Sequence, residues 1–373
     1  MMRDRLQNVI NSLEKKPVLL LGKEATIGFD GFIDYIVRVV KSKKSRGECV
    51  FFEDMEEFSS YILDKKGKSC TIELKGQMTK IGGNMPIMAT ALGRLGIKVN
   101  CIGAMGMPDI MQEFTGMRAE NCSLFSVAEP GITTALEFDD GKIMLADMNA
   151  VDEVSWERIK STVGVNKLSG FYEKSELIGM VNWSEIENSF GIWEGVLHEI
   201  LPCLKPEPGR IIYFDLADCS KRYREDIEKA LYLIGKFAAY GRVVLGMNEN
   251  ESRVVYNALT GSSDFGCLNE VGTGIYEKLD IDTLVIHPVN CSISWNKDGM
   301  HSADNFYISQ PKLSTGGGDN FNAGFCWAML MNMDITSSLV IANAVSGFYV
   351  KNGYSPGREE VIDFLKEWYK NIT

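Results

Sequence analysis

The part of the chain best suited to chemistry is a glycine-rich loop that ends in an aspartate. Residues Gly316–Asp319 read Gly-Gly-Gly-Asp, and the apolar segment after them predicts a helix from Asn320 to Met333. Glycines let the backbone approach a ligand closely, and free amide groups at a helix N-terminus bind an anion. A carboxylate beside a bound phosphate makes sense if it accepts the proton of the hydroxyl group that attacks phosphorus. Alternatively, Asp319 is only the N-cap of the helix.

Two aspartates near the N-terminus could bind the hydroxyl groups of a polyol. Asp30 and Asp34 follow the apolar segment Ala25–Phe29, which predicts a buried strand. A carboxylate at the carboxyl edge of a parallel strand can accept hydrogen bonds from two neighbouring hydroxyl groups. Asp34 is slightly favoured by its distance from the strand. The alternative is that either aspartate is a turn residue that binds its own backbone.

A third pair of polar residues, Asn248 and Glu251, follows the predicted strand Arg242–Leu245. Their oxygen atoms suit Mg²⁺, which prefers oxygen ligands and keeps several of its waters. The same spacing is also that of a capping box at the start of a helix. The residues alone leave both interpretations open.

The elements that would position these residues alternate between short apolar strands and helices. Such an alternation predicts an α/β fold, in which helices cover both faces of a mostly parallel sheet. Two stretches do not fit the alternation: the polar stretch 35–80, and a hairpin across Thr133–Ala146 with the turn Asp139-Asp140-Gly141. We therefore predict five segments: core at 1–34, lid and insertion at 35–80, core at 81–125, lid hairpin at 126–150, and core with the nucleotide and catalytic site at 151–373.

The segment Gly316–Gly324 resembles the C-terminal motif of the ribokinase family of sugar and nucleoside kinases, also called the PfkB family. Weaker resemblances follow the family's order along the chain, at Gly82-Gly83, Asp215–Asp218, Asn248–Glu251 and Ala342–Ala344. Together they cover most of the chain. The resemblance implies a ribokinase-like three-layer fold, with a mostly parallel central sheet between helices and a small β lid.

The resemblance also implies roles for residues of this chain. Asp319 would be the general base. The anion hole would be formed by the three glycines before it, Gly316, Gly317 and Gly318. The residues that would bind the substrate are Asp34, Asp30, Gly82, Gly83 and Asn84. The residues that would contact the nucleotide are Asn248, Asn343 and His287, and those that would hold Mg²⁺, through water, are Glu251 and Asn248.

These roles imply a carbohydrate kinase that transfers the terminal phosphoryl group of a nucleotide, ATP, to a hydroxyl group of a sugar or sugar-like substrate, with Mg²⁺ as cofactor. The loop His287–Ser292 stands where the family has a T-x-G-x-x-G nucleotide loop. That difference motivates an alternative, a catalytically impaired sugar- or nucleotide-binding sensor on the same fold. A dehydrogenase is disfavoured because the chain has no dinucleotide-binding G-x-G-x-x-G motif.

Composition and charge argue against several other classes of protein. The 373 residues include 39 Lys and Arg against 50 Asp and Glu, a formal net charge of −11, which disfavours nucleic acid or an anionic membrane as partner. No apolar run approaches the ~20 residues that span a bilayer. Nine cysteines without a C-x-x-C pair predict reduced thiols and a cytoplasmic location. The expected partners are a sugar-like molecule and a nucleotide, and the lid could also pair in a homodimer.

Overall fold

The computed structural model describes residues 2–15, 22–45 and 48–372. The segment 17–21, whose apolar residues predict an extended stretch, lies outside them. Within the described residues the strands, in chain order, are β1 (Glu24–Gly28), β2 (Phe32–Ser45), β3 (Glu48–Phe51), β4 (Leu74–Gly82), β5 (Lys98–Ala104), β6 (Cys122–Ala128), β7 (Gly131–Phe138), β8 (Gly141–Asp147), β9 (Ser175–Met180), β10 (Ile211–Asp215), β11 (Arg242–Met247), β12 (Thr283–Ile286), β13 (Cys291–Asn296) and β14 (Gly299–Asp304).

The α-helices of the described residues lie mostly between these strands and after them. In chain order they are α1 (Met2–Lys15), α2 (Met55–Asp64), α3 (Asn84–Arg94), α4 (Gln112–Thr115), α5 (Trp156–Val163), α6 (Val165–Lys174), α7 (Ser189–Gly195), α8 (Arg224–Lys236), α9 (Glu249–Thr260), α10 (Leu268–Tyr276), α11 (Gly317–Leu330), α12 (Ile335–Asn352) and α13 (Arg358–Asn371). None of these helices has both the length and the apolar character that would let it cross a membrane.

The larger of two sheets has nine strands in the order β14-β13-β12-β11-β10-β9-β1-β5-β6. The seven strands from β12 to β6 are parallel to one another, and β13 and β14 extend the sheet as an antiparallel hairpin. Parallel neighbours require long crossover connections, and helices supply them here. The predicted mostly parallel sheet is confirmed.

Helices cover both faces of this sheet, which makes a three-layer fold. The strand β10 illustrates the division, because its side chains alternate between the two faces. Ile211 and Tyr213 belong to the apolar core under α1, α3, α11, α12 and α13. Ile212 and Phe214 belong to the core under the helices from α5 to α10. Because both faces of the strand are buried, its sequence is a continuous apolar run.

A smaller sheet stands apart from this core, and we call its five strands β2, β3, β4, β7 and β8 the small sheet. Its strand order is β3-β2-β7-β8, and β4 pairs with β2 along the edge opposite β7. The predicted hairpin is confirmed as β7 and β8, paired from Phe138 and Gly141 onward. Helix α2 packs on one face, where Phe58 contacts the apolar cluster of Val37, Val39 and Phe138. The opposite face carries the polar residues described below.

Candidate active site

The glycine-rich loop is held in place from the neighbouring helix α12. Gly316 is the N-cap of α11 and has a φ of 96°, a left-handed conformation that favours glycine. A Cβ atom at this position would also lie only 2.7 Å from the hydroxyl oxygen of Tyr349. That hydroxyl donates to the carbonyl oxygen of Thr315 at 2.9 Å, and Ser346 donates to the carbonyl oxygen of Gly317 at 2.9 Å. The loop therefore has one defined shape before any ligand binds.

The helix after the loop begins earlier than its sequence predicts. It starts at Gly317 rather than at Asn320, so Asp319 lies in the first turn and Gly316 is the N-cap. The interpretation of Asp319 as the N-cap is therefore wrong. The Gly317 amide donates to the carbonyl oxygen of Ser314 at 3.0 Å. The amides of Gly318 and Asp319 are in the turn where helices leave N–H groups without an intrahelical acceptor.

Asp319 lies among other carboxylates. Burial raises the pKa of Asp319 well above its usual range, and the negative charges of Asp215, Asp30 and Glu251 raise it further. A second link between the loop and the rest of the site is Ile87 of α3, whose Cδ1 would lie 3.2 Å from a Cβ on Gly316. The structure therefore places the glycine-rich loop, α3 and the ends of the parallel strands around one cleft.

Asp30 is fully buried and has three N–H partners. It accepts from the amides of Asn84 at 2.7 Å and Met85 at 2.8 Å, at the start of α3, and from Nδ2 of Asn182 at 2.6 Å. Burial raises the pKa of Asp30 to about 7, although these three donors act to lower it. Both of its oxygens are already occupied. Asp30 therefore anchors the start of α3 and has little capacity left for a ligand.

Asp34 has far fewer partners and lies on the small sheet. It is directly opposite Lys80 of β4 and Thr133 of β7. Lys80 Nζ lies 3.7 Å from its carboxylate, and Thr133 is its neighbour on the other strand. Burial raises the pKa of Asp34, while Lys80 and Thr133 act to lower it. Of the two predicted aspartates, Asp34 is the one with free acceptor capacity.

Gly82 and Gly83 lie against the two aspartates, and the absence of side chains at both positions leaves room for the carboxylates. A Cβ on Gly82 would lie 2.5 Å from Oδ1 of Asp34, and a Cβ on Gly83 would lie 2.6 Å from Oδ2 of Asp30. Gly83 also has a φ of 91° and is the N-cap of α3. The pair Gly82-Gly83 thus brings both carboxylates and the start of α3 together.

Asn248 and Glu251 form a capping box at the start of α9. The Asn248 side chain accepts from the Glu251 amide at 2.9 Å, and Glu251 accepts from the Asn248 amide at 2.8 Å and from its Nδ2 at 2.5 Å. Burial raises the pKa of Glu251 to about 8, and the charge of Asp215 adds to the effect. Burial also raises the pKa of Asp215 to about 6, although hydrogen bonds from the Ala217 amide and from Nδ2 of Asn322 act to lower it. This side of the cleft has carboxylates without any cationic partner among their hydrogen bonds.

His287 and Asn343 line a separate cavity of about 400 Å³ next to the glycine-rich loop. The cavity wall also includes Gly317, Gly318 and Phe321, whereas Asn248 does not line it. The His287 ring packs on Phe321 at 4.7 Å, and burial lowers the pKa of His287 to about 4, so the ring is neutral near pH 7. Asn343 donates to the carbonyl oxygen of Asp304 at 3.1 Å, and its buried Oδ1 has no partner.

Sequence reasoning missed several residues of the site. Lys80 and Thr133 are cross-strand partners of Asp34, and only the register of the small sheet places them there. Ser346 and Tyr349 lie on α12, about one and two turns after Asn343, and their contacts with the loop have no local signal. Asn182 was detectable, because it follows β9 at the edge where the other site residues lie.

Solved structures of sugar kinases have the same architecture. The ribokinase of Thermotoga maritima matches with a TM-score of 0.65 over 92% of this chain and 99% of its own, at 17% identity. A putative ribokinase II of E. coli, in complex with ATP and Mg²⁺, matches with a TM-score of 0.64 over 93% and 99%, at 12% identity. The fold of this chain is therefore of the ribokinase-like class.

Sequence comparison identifies a family within this fold class. The ketohexokinase of Haloferax volcanii is 28% identical over 357 residues, which is 94% of this chain and 93% of that protein. The model of the prokaryotic ketohexokinase family matches residues 3–368. The chain belongs to that family, and it is a sugar kinase.

Proposed function

We propose that this protein transfers the terminal phosphoryl group of ATP to a hydroxyl group of a free ketohexose. The observation that carries the proposal is the position of Asp319, in the first turn of α11, directly after the glycine-rich loop and free of the capping role. The acceptor oxygen attacks the terminal phosphorus while its proton passes to the Asp319 carboxylate. The bond between phosphorus and the bridging oxygen breaks, and ADP leaves.

Gly316, Gly317 and Gly318 form the anion hole in this proposal. The amides of Gly318 and Asp319 are the donors best placed for the transferred group, since the Gly317 amide already donates to Ser314. Because Tyr349 and Ser346 fix the loop from α12, the donors need little reorganisation when charge develops on the phosphoryl oxygens. The loop thus supplies positioning and electrostatic stabilisation together.

The charges of the acceptor side support a neutral sugar. Asp34, with Asp30, Gly82, Gly83 and Asn84 around it, is the proposed binding site for the sugar hydroxyl groups. A groove of about 750 Å³ lies next to this site, because its Glu185 accepts from the same Nδ2 of Asn182 that donates to Asp30. Its wall has five acidic side chains, Asp147, Asp152, Glu185, Glu187 and Asp218, against the basic Lys221 and Arg222. A sugar phosphate would be repelled by such a surface. A free ketohexose agrees with the name of the Haloferax relative.

The donor side fits ATP with Mg²⁺. The cavity beside His287 and Asn343 would take the nucleotide base, with the phosphates directed toward Gly318. Within the described residues no three metal-ligating side chains are gathered closely enough to chelate an ion. Glu251 and Asn248 would therefore hold Mg²⁺ through water, and the carboxyl groups of Asp215 and Glu251, whose pKa values burial raises, would ionise more readily beside a cation. The ion would neutralise charge on the transferred phosphoryl group.

The small sheet is the proposed lid. It carries Asp34 and Lys80, and its closure over the acceptor would exclude water, a competing nucleophile. A homodimer through the lid would have to use the side chains that α2 leaves exposed, such as Met78 and Met144. Molar mass in solution, measured with and without substrate, tests this part of the proposal.

The decisive experiment measures product formation from Mg-ATP with a panel of acceptors. The panel contains a ketohexose, an aldohexose, a pentose, a nucleoside and a ketohexose phosphate. We expect the ketohexose to have the highest kcat/KM, at least tenfold above that of its phosphate. If thermal shifts show that sugar and nucleotide bind but no acceptor is phosphorylated, the kinase proposal is wrong and the sensor alternative holds.

A further inference from the structure

A lysine of the small sheet lies in the same cross-strand row as the proposed sugar-binding aspartate. Lys80 of β4 is directly opposite Asp34 of β2, and Thr133 of β7 is opposite Asp34 on the other side. Side chains of directly paired residues project from the same face of a sheet. The row therefore presents an ammonium, a carboxylate and a hydroxyl group side by side.

The Nζ atom of Lys80 is buried, and within the described residues it makes no hydrogen bond. Its side chain is 15% exposed and that of Asp34 is 6% exposed, yet 3.7 Å separates Lys80 Nζ from Asp34 Oδ2. That distance is too long for a hydrogen bond, and no other residue that the structure describes offers the buried Nζ atom an acceptor. A second lysine of the same sheet behaves differently. Lys142 lies 3.0 Å from Glu137, and both of these side chains are more exposed.

An ammonium group in this situation is costly to the folded protein. It carries three N–H donors, and a buried donor without an acceptor loses its hydration without compensation. Burial lowers the pKa of Lys80, whereas the charges of Asp34 and Asp319 act to raise it. Lys80 therefore lies within electrostatic reach of both the proposed sugar-binding carboxylate and the proposed base. A ligand oxygen in the cleft would satisfy its donors.

We propose that Lys80 binds the acceptor sugar, donating to one sugar oxygen while Asp34 accepts from the hydroxyl group on the adjacent carbon. This inference rests on the proposed function and adds a requirement on the substrate. The acceptor must present two neighbouring oxygen atoms to the row, one of them as a hydroxyl group. Thr133, opposite Asp34 on β7, completes the row.

The first test compares Lys80→Met with Lys75→Met. Lys75 is on the same strand but exposed, so its replacement is the matched control. We expect Lys80→Met to raise KM for the ketohexose about tenfold or more, as loss of a charged hydrogen bond does. KM for ATP should change less than twofold, and Lys75→Met should change neither constant. Lys80→Arg keeps the charge and should recover part of the sugar affinity.

The second test separates contact with the sugar from an indirect effect. Wild type and Lys80→Met are compared on ketohexoses that each lack one hydroxyl group. For one of these analogues the two proteins should have the same KM, because the oxygen bound by Lys80 is then absent. If the tenfold difference persists for every analogue, or if no difference exists on the parent sugar, Lys80 does not bind the acceptor.

Thermal unfolding distinguishes an effect on sugar binding from misfolding of the variant. Lys80→Met should keep the melting temperature of wild type within a few degrees, since it removes an unsatisfied buried charge. If it does not fold, Lys80→Gln replaces it in both tests. A wild type that phosphorylates no acceptor overturns the proposed function itself. An active wild type with an unchanged sugar KM in the Lys80 variants overturns only the role of Lys80.

Discussion

Both sides of the cleft contain buried carboxyl groups, but the surrounding residues balance the charge of these groups differently. On the core side, Asp215 and Glu251 accept only from amide groups, and burial raises the pKa of each. On the small-sheet side, Asp34 has the cationic Lys80 at 3.7 Å. The core side thus has acidic groups whose ionisation is disfavoured until a cation compensates their charge, whereas the small-sheet side has an aspartate that is already paired with a lysine.

This difference indicates which ligand each side accepts. Carboxylates without a cation attract one, and a metal–nucleotide complex supplies it. A carboxylate already paired with a lysine attracts neither a metal nor a phosphate strongly, but it can share hydrogen bonds with a neutral polyol. Asp319 lies between the two sides, because the charges of Asp215 and Glu251 act to raise its pKa and its own charge acts to raise that of Lys80. Cation binding on the core side would favour the ionised form that a base requires.

Asp319→Asn should have the largest effect on catalysis, since it removes the group that joins the two sides. We expect kcat to fall by about 10²–10⁴-fold, the usual contribution of a positioned base. KM for the sugar should change little, because Asp34 is untouched. Asp264→Asn, a change at an exposed aspartate, is the control and should keep wild-type rates. Turnover of Asp319→Asn within tenfold of wild type would remove Asp319 from the mechanism.

Gly82→Ala should affect the small-sheet side alone. Its added Cβ would lie 2.5 Å from Oδ1 of Asp34, so that carboxylate must move. We expect a rise of about tenfold or more in KM for the sugar, with KM for ATP nearly unchanged, as measured by initial rates. Gly76→Ala, on the same strand, is a matched control, because its Cβ meets no atom within 4 Å. Equal effects of the two changes would show that the site tolerates movement of Asp34.

Much of the core side could be predicted from the sequence, because its signals are local. The glycine-rich loop, the apolar strands and the spacing of Asn248 and Glu251 each lie within a dozen residues. The structure confirms the parallel sheet, the β7–β8 hairpin and the capping box. The start of α11 was misplaced by three residues, because glycines read as loop although Gly317 and Gly318 are helical.

The small-sheet side was harder to predict because its signals are not local. Asp34, Lys80 and Thr133 are far apart in the chain, and only strand register brings them into one row. A shift by one residue would turn Lys80 to the opposite face. The sequence also does not indicate that the carboxylate of Asp30 is occupied by three N–H donors whereas that of Asp34 has free acceptor capacity. Which of them is occupied depends on where α3 begins and on Asn182.

Glu251→Gln should change how stability depends on pH, and it tests the core side. The pKa of Glu251 is about 8 in the folded protein against an ordinary value of 4.5, so the folded state holds a proton that the unfolded state has lost. The free energy of unfolding therefore decreases as pH rises toward 8. Urea unfolding between pH 6.5 and 8 should give a shallower slope for the variant, by at most about 1.4 kcal/mol per pH unit.

The control for this measurement is Glu249→Gln, on the same turn and paired with Arg253. It should keep the wild-type slope. His287, whose pKa is lowered to about 4 in the folded protein, contributes equally to wild type and to the variants, so its contribution cancels when the slopes are compared. Identical slopes for wild type and Glu251→Gln would mean that the core side is already neutralised, and the contrast between the two sides would disappear.

Tyr349→Phe should have the smallest effect, and it asks how much the glycine-rich loop depends on α12. The change removes one hydrogen bond, from the tyrosine hydroxyl to the carbonyl oxygen of Thr315. Such a bond contributes about 0.5–1.5 kcal/mol, so kcat should fall about two- to tenfold while both KM values stay near those of wild type. Tyr354→Phe removes an exposed bond to Glu360 instead and should leave kcat unchanged. If Tyr349→Phe instead raised KM for the sugar and left kcat unchanged, the hydroxyl group would act on sugar binding at the small-sheet side. Asp34 on that side is close enough that its charge acts to raise the pKa of Tyr349.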